Sequence, residues 1–166
     1  VTIYAEDDVR SEKQLAGKQC ALMDSYGCFY TRNTGIWQTV WLEAVEPARV
    51  RSYKIYANIS APSVSIDVSV TPEAIGGELR VIATYEGKPM GEATVKVCSL
   101  SATVNVALAE AHLWEVGHGR LYDLRFELTS NGKCDAVTGY FGLREVSLTK
   151  EKGLQINGKT VFGRFV

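Results

Sequence analysis

The chain has 166 residues, 46% of them hydrophobic, with 18 basic and 19 acidic side chains and a formal charge of −1. That much apolar matter builds a real core and excludes disorder. The charges are interspersed, which excludes the basic clusters that nucleic acid or an anionic membrane requires, and no apolar run approaches the ~20 residues that span a bilayer.

Taken in chain order, residues 1–5 predict a strand, residues 6–17 a polar loop and residues 36–43 a second strand. Tyr53, Ile55, Ala57 and Ile59 make an alternating run. These are too few strands, with long loops between them, to close a sandwich, so residues 1–60 read as the end of a domain that begins elsewhere. From there the period-two signal repeats. Val64, Ile66, Val68 and Val70 alternate with Ser65, Asp67 and Ser69, the pattern of a strand with one wet face. Leu79, Val81, Ala83 and Tyr85 follow, ended by Glu86-Gly87-Lys88-Pro89; then come Ala93, Val95 and Val97, and Ala102, Val104, Val106 and Leu108. Good helix formers between Val106 and Trp114 predict a helical turn there. Tyr122, Leu124, Phe126 and Leu128 lead through Asn131-Gly132 to Val137, Gly139, Phe141 and Leu143. The parity then flips to Val146 and Leu148, which predicts a β-bulge near Arg144 and Glu145. Asn157-Gly158 closes a final two-residue hairpin, because a type I′ turn needs positive φ at both positions. The class is all-β: an immunoglobulin-like sandwich of about seven strands over residues 61–149, preceded by part of another domain in residues 1–60 and followed by a hairpin in residues 150–166.

Chemistry-bearing residues are sparse. Cys20, Cys28, Cys98 and Cys134 form no CxxC pair and the histidines are only His112 and His118, so no metal site is expected. The thiols read either as four reduced and mostly buried groups or as including a Cys20–Cys28 disulfide across a hairpin. Glu6, Asp7 and Asp8 read as a solvated turn rather than a calcium site. No two carboxylates are paired in a candidate cleft.

The run Gly35-Ile36-Trp37, with Val40 and Leu42 following, resembles the end of the jelly-roll, sugar-binding domain of family 2 glycoside hydrolases, which include β-galactosidases, β-glucuronidases and β-mannosidases. Leu113-Trp114, Leu121-Tyr122-Asp123-Leu124 and Tyr140-Phe141-Gly142-Leu143-Arg144 resemble the motif string of that family's immunoglobulin-like second domain. Ile156-Asn157-Gly158-Lys159-Thr160-Val161-Phe162 resembles the hairpin leading into its catalytic β/α barrel.

The resemblance makes residues 1–60 the C-terminal part of the jelly roll and residues 150–166 the approach to a barrel that this chain does not contain. Retaining enzymes of this kind use two glutamates about 5–5.5 Å apart, carried in the family by the barrel. No catalytic residue and no cofactor is therefore expected here. Tyr30, Arg32 and Asn33 correspond to a loop beside the family's sugar pocket and are the candidate substrate contacts. Cys28-Phe29-Tyr30-Thr31 departs from the family pattern by lacking the carboxylate that reaches the sugar from this domain in several members. Trp37, Trp41 and Trp114 are expected to pack between domains, Arg144 to make an interdomain ion pair or bond backbone carbonyls, and Tyr122 to form a tyrosine corner. The function implied is a non-catalytic region that positions the barrel of a parent β-glycosidase, a β-galactosidase or relative. The alternative is a free-standing immunoglobulin-like carbohydrate-binding or adhesion module. The expected partners are the parent's barrel, a carbohydrate through that parent, and a second copy pairing through residues 1–60. The expected compartment is the cytoplasm, with secretion left open.

Overall fold

The alternating runs become paired strands, β1 (Val50–Asn58), β2 (Ser63–Val70), β3 (Glu78–Tyr85), β4 (Lys88–Lys96), β5 (Ser101–Ala107), β6 (Tyr122–Ser130) and β7 (Lys133–Phe141), followed by the short β8 (Val146–Thr149), β9 (Gly153–Ile156) and β10 (Lys159–Thr160). This is a computed structural model that describes residues 1–8, 10–11 and 13–163. Contacts divide the chain into two units, Val1–Glu43 and a second beginning at Ala44.

In the second unit, two antiparallel sheets, ordered β1-β2-β5 and β4-β3-β6-β7, form the sandwich, and β10-β9-β8 is a small third sheet. Period two puts every other side chain inward. Val64, Ile66, Val68, Val104 and Val106 from one sheet meet Leu79, Val81, Ala83, Leu124, Phe126 and Leu128 from the other, all at most 2% exposed. Burial of this kind is worth roughly 1.5–3 kcal/mol per large side chain. Tyr53 of β1 stacks on Phe126 at 4.6 Å between centroids. It fits because β7 carries glycine at 139, where a Cβ would collide with the Tyr53 hydroxyl.

The sandwich protects its edges. On one side the Asp135 carboxylate of β7 accepts the Val50 N–H of β1 at 2.9 Å. On the other the Ala109 N–H donates to the Met90 carbonyl at 2.7 Å. Pro89 lies in β4, an edge strand, where a missing N–H costs no ladder bond, and the β3–β4 register shifts beside it, between Ala83 and Thr84.

Several expectations are corrected. β1 pairs with β2 from Val50↔Val70 to Asn58↔Ser63, so this run belongs to the sandwich and the division falls after Glu43, not after residue 60. There is no bulge at Arg144 and Glu145: β7 ends at Phe141 and β8 belongs to the third sheet, so the parity flip marks a change of sheet. Residues 106–114 form no helical turn. β5 runs to Ala107 because β2 takes its backbone bonds, and the one helix among the described residues is the 3₁₀ turn Pro72–Ala74. In the first unit, residues 1–5 and 36–43 form no strand, and the bridges are isolated ones, Gln19↔Tyr30 and Tyr26↔Phe29. Alternation makes a strand only when a neighbour takes the backbone hydrogen bonds, and among the described residues of this unit none does so for these two runs. All four cysteines are free. Only Cys20 is buried, and Cys28, Cys98 and Cys134 are exposed.

Candidate functional site

The motif residues of the second unit converge at one end of the sandwich. Leu113 bridges Leu143 in parallel, and the Trp114 N–H donates to the Leu143 carbonyl at 3.0 Å. This lays the half-buried Trp114 ring against Gly142, where a Cβ would stand 3.1 Å from the tryptophan Cβ and Cγ. The Arg144 guanidinium carbon lies 4.4 Å from the centroid of the same ring. Where an ion pair or carbonyl contact was expected, the observed partner of Arg144 within this unit is therefore the indole face, a contact worth roughly 0.5–1 kcal/mol at an exposed site.

The terminal hairpin is fastened to this cluster through Asn157. Asn157 and Gly158 have φ of 51° and 74°, the type I′ turn. The Asn157 amide donates to the Trp114 carbonyl at 2.9 Å, its Oδ1 accepts the Glu145 N–H at 3.0 Å, and its backbone N–H donates to the Glu145 carbonyl at 2.9 Å. Beside it Lys159 pairs with Glu115 at 2.9 Å. That hydrogen bond and charge hold the Glu115 carboxyl below the ordinary glutamate value.

Tyr122 braces the loop leading to Trp114. Its hydroxyl donates to the Glu110 carbonyl and accepts the His112 N–H, each at 2.7 Å. Its ring stacks on Phe141 at 4.9 Å, and burial pushes its phenol up from its ordinary value. His112 stacks on Tyr85 at 3.9 Å and meets Glu110 at 2.8 Å. Indole, guanidinium, amide and backbone groups fix geometry, and two carboxylates are held in pairs, Glu115 by Lys159 and Glu110 by His112. The arrangement ties the loop before β6, the end of β7 and the terminal hairpin together.

The other sequence candidates lie in the first unit. Tyr30 is 59% exposed, and its backbone is bonded to Lys18 and Cys20. Arg32 donates to the Met23 sulfur at 3.0 Å, and the Asn33 N–H donates to the Gln19 side chain at 3.2 Å. Trp37 and Trp41 are exposed, at 88% and 72%. Asp7 accepts from Gln14 and Gln19, and Asp8 accepts the Arg10 N–H, so the acidic run serves its own loop. Among the described residues no group of three or more His, Cys, Asp or Glu side chains could hold a metal ion. Sequence reasoning missed the fastening role of Asn157, which it read only as a turn residue, and the Glu115–Lys159 pair. The turn signature accounted for Asn157 completely, so nothing called for a second role.

The family model described as glycosyl hydrolases family 2 matches residues 48–144, which takes in β1 to β7 and Arg144. No curated protein sequence matches the chain. Among solved structures, a β-D-glucuronidase of Dictyoglomus thermophilum is similar at 24% identity and TM-score 0.53, over 68% of this chain and 18% of that one. A β-glucuronidase of Ruminococcus gnavus is similar at 21% identity and TM-score 0.54, over 70% and 19%. A β-glucuronidase from Ruminococcus gnavus in complex with D-glucaro 1,5-lactone is similar at 22% and 0.53, over 69% and 19%. The chain spans about a fifth of the length of these enzymes, and at this identity the likeness speaks for the fold. The family match covers more than half of the 166 residues, and on that ground the chain belongs to glycosyl hydrolases family 2.

Proposed function

We propose that this chain is a non-catalytic region of a longer β-glycosidase and that its sandwich positions the parent's catalytic barrel. The observation that carries this reading is the Trp114–Arg144–Asn157 cluster. There the motif residues lock the terminal hairpin onto the rigid end of the sandwich, so that whatever follows the hairpin inherits a defined direction. Preorganisation of that kind is what a two-carboxylate site needs from its scaffold, because small misplacements of reacting groups are costly.

Catalysis in this reading belongs to two barrel glutamates about 5–5.5 Å apart. The solved neighbours are named as β-glucuronidases, so a β-glucuronide stands ahead of the β-galactoside suggested by the sequence as the parent's substrate. Sequencing the gene beyond codon 166 tests the proposal. The expected result is an open frame encoding a β/α barrel with two such glutamates. A stop codon directly after Val166 contradicts it.

A further inference from the structure

Along the outer face of β3, β6 and β7, with Tyr53, Leu124 and Gly139 closing its inner side, runs an open cleft of about 620 Å³ that the positioning role does not use. We propose that this cleft is a binding site for a neutral oligosaccharide, recognised two or three pyranose rings at a time. The register builds it. Thr84 lies opposite Asp123 and Asp123 opposite Tyr140, while Ile82 lies opposite Arg125 and Arg125 opposite Thr138. Period two then puts all six side chains on the solvent face of three adjacent strands.

Their chemistry fits a sugar. Tyr140 is 67% exposed, a large aromatic face offered to water, and with the half-buried Ile82 it gives the cleft an apolar surface against which the C–H face of a pyranose can stack. Around it stand a carboxylate, a guanidinium, two threonine hydroxyls and a phenol. These donors and acceptors interleave at the roughly 4.8 Å strand spacing, and a ring of vicinal hydroxyls answers both kinds at once. The three strands span about 10 Å, room for two or more rings.

Charge decides between neutral and acidic glycans. Beside the cleft Arg80 pairs with Glu92 at 2.6 Å and with Glu127 at 3.4 Å, and Arg125 pairs with Glu127 at 2.8 Å, so these two cations and two anions cancel. Asp123 is in none of these pairs. Of the two charged side chains that line the cleft, Arg125 is engaged by Glu127 while Asp123 has no ion-pair partner among the described residues, which disfavours a uronate and leaves a neutral ring unaffected. The specificity is thus opposite to that of a glucuronide-binding site, and the inference stands whether or not a barrel follows the chain.

Isothermal titration of the purified 166-residue chain with cellotetraose, β-1,4-galactotetraose and, as the acidic probe, tetragalacturonate decides it. At least one neutral probe should bind saturably, and the acidic one more weakly. Tyr140→Ala and Asp123→Ala, both on the solvent face, should each weaken binding about ten-fold with unchanged thermal melts. Three results overturn the proposal: no binding of either neutral probe up to about 10 mM, tighter binding of the acidic probe, or binding that both variants leave intact. A barrel-encoding frame found alongside any of these would leave the positioning role standing and remove only this site.

Discussion

Phe126 and Arg125 are neighbours in the chain and opposites in energy. Phe126 is 0% exposed and stacked on Tyr53, whereas Arg125 sits outside, paired with Glu127. Phe126→Ala should destabilise the sandwich by about 3–5 kcal/mol, and Arg125→Ala by about 0.5 kcal/mol or less. Denaturant melts giving equal losses would show the faces to be wrongly assigned. Tyr122→Phe removes one hydroxyl but strands both the Glu110 carbonyl and the His112 N–H. Its cost should be about 1–3 kcal/mol by the same melts. Gly139→Ala drives a Cβ into the Tyr53 hydroxyl and should cost about 1–3 kcal/mol, part of it recovered in the double variant with Tyr53→Phe. The orientation of Phe126 was legible in the sequence because alternation encodes parity. The need for glycine at 139 was not, because the ring that occupies the space arrives from β1, distant in the chain, and local pattern is blind to it.

Among the elements, the terminal hairpin offers the cleanest experiment. Asn157→Gly keeps the positive φ of 51° that the turn needs and deletes only the side-chain bonds to Trp114 and Glu145. The expected outcome is faster hydrogen exchange at the Glu145 N–H with the melt of the seven-strand sandwich little changed. Unchanged exchange would mean that the hairpin is held by other contacts. The Glu115–Lys159 pair makes the same junction sensitive to pH. The folded-state value of Glu115 lies below its ordinary 4.5, so the pair contributes fully above that value and its contribution is lost as pH falls through the lower folded value. An NMR titration should show hairpin resonances of the wild type shifting in that acidic window and those of Glu115→Gln staying flat. Asn157-Gly158 announced the turn, since the dipeptide encodes the backbone it needs. Its hold on Trp114 depends on tertiary placement and could not be read. Val146 and Leu148 show the opposite failure. They alternate like core residues, yet they are 58% and 77% exposed on a strand of the small third sheet.

For the whole molecule, these two errors are one. The pattern after residue 60 reads as about seven strands with Val146 and Leu148 continuing past a bulge, and it leaves the run at Tyr53 to the preceding domain. In the structure β1 lies along β2 and the family match begins at residue 48. Alternation tells a strand from a helix but names no partner, and partners decide domain boundaries. The same limit applies to residues 36–43, whose pattern promises a strand that forms no ladder within the first unit. What the sequence did carry was the class, the sandwich and the family, because inward parity repeats seven times and the Trp114, Tyr122 and Arg144 motifs keep their order. The role we propose for this region is to organise a glycosidase without performing its chemistry. The most direct test is to assay the purified 166-residue chain against chromogenic β-glucuronide, β-galactoside and β-mannoside. No turnover of any of them is expected, and hydrolysis that survives rigorous purification and scales with protein concentration would refute the non-catalytic role.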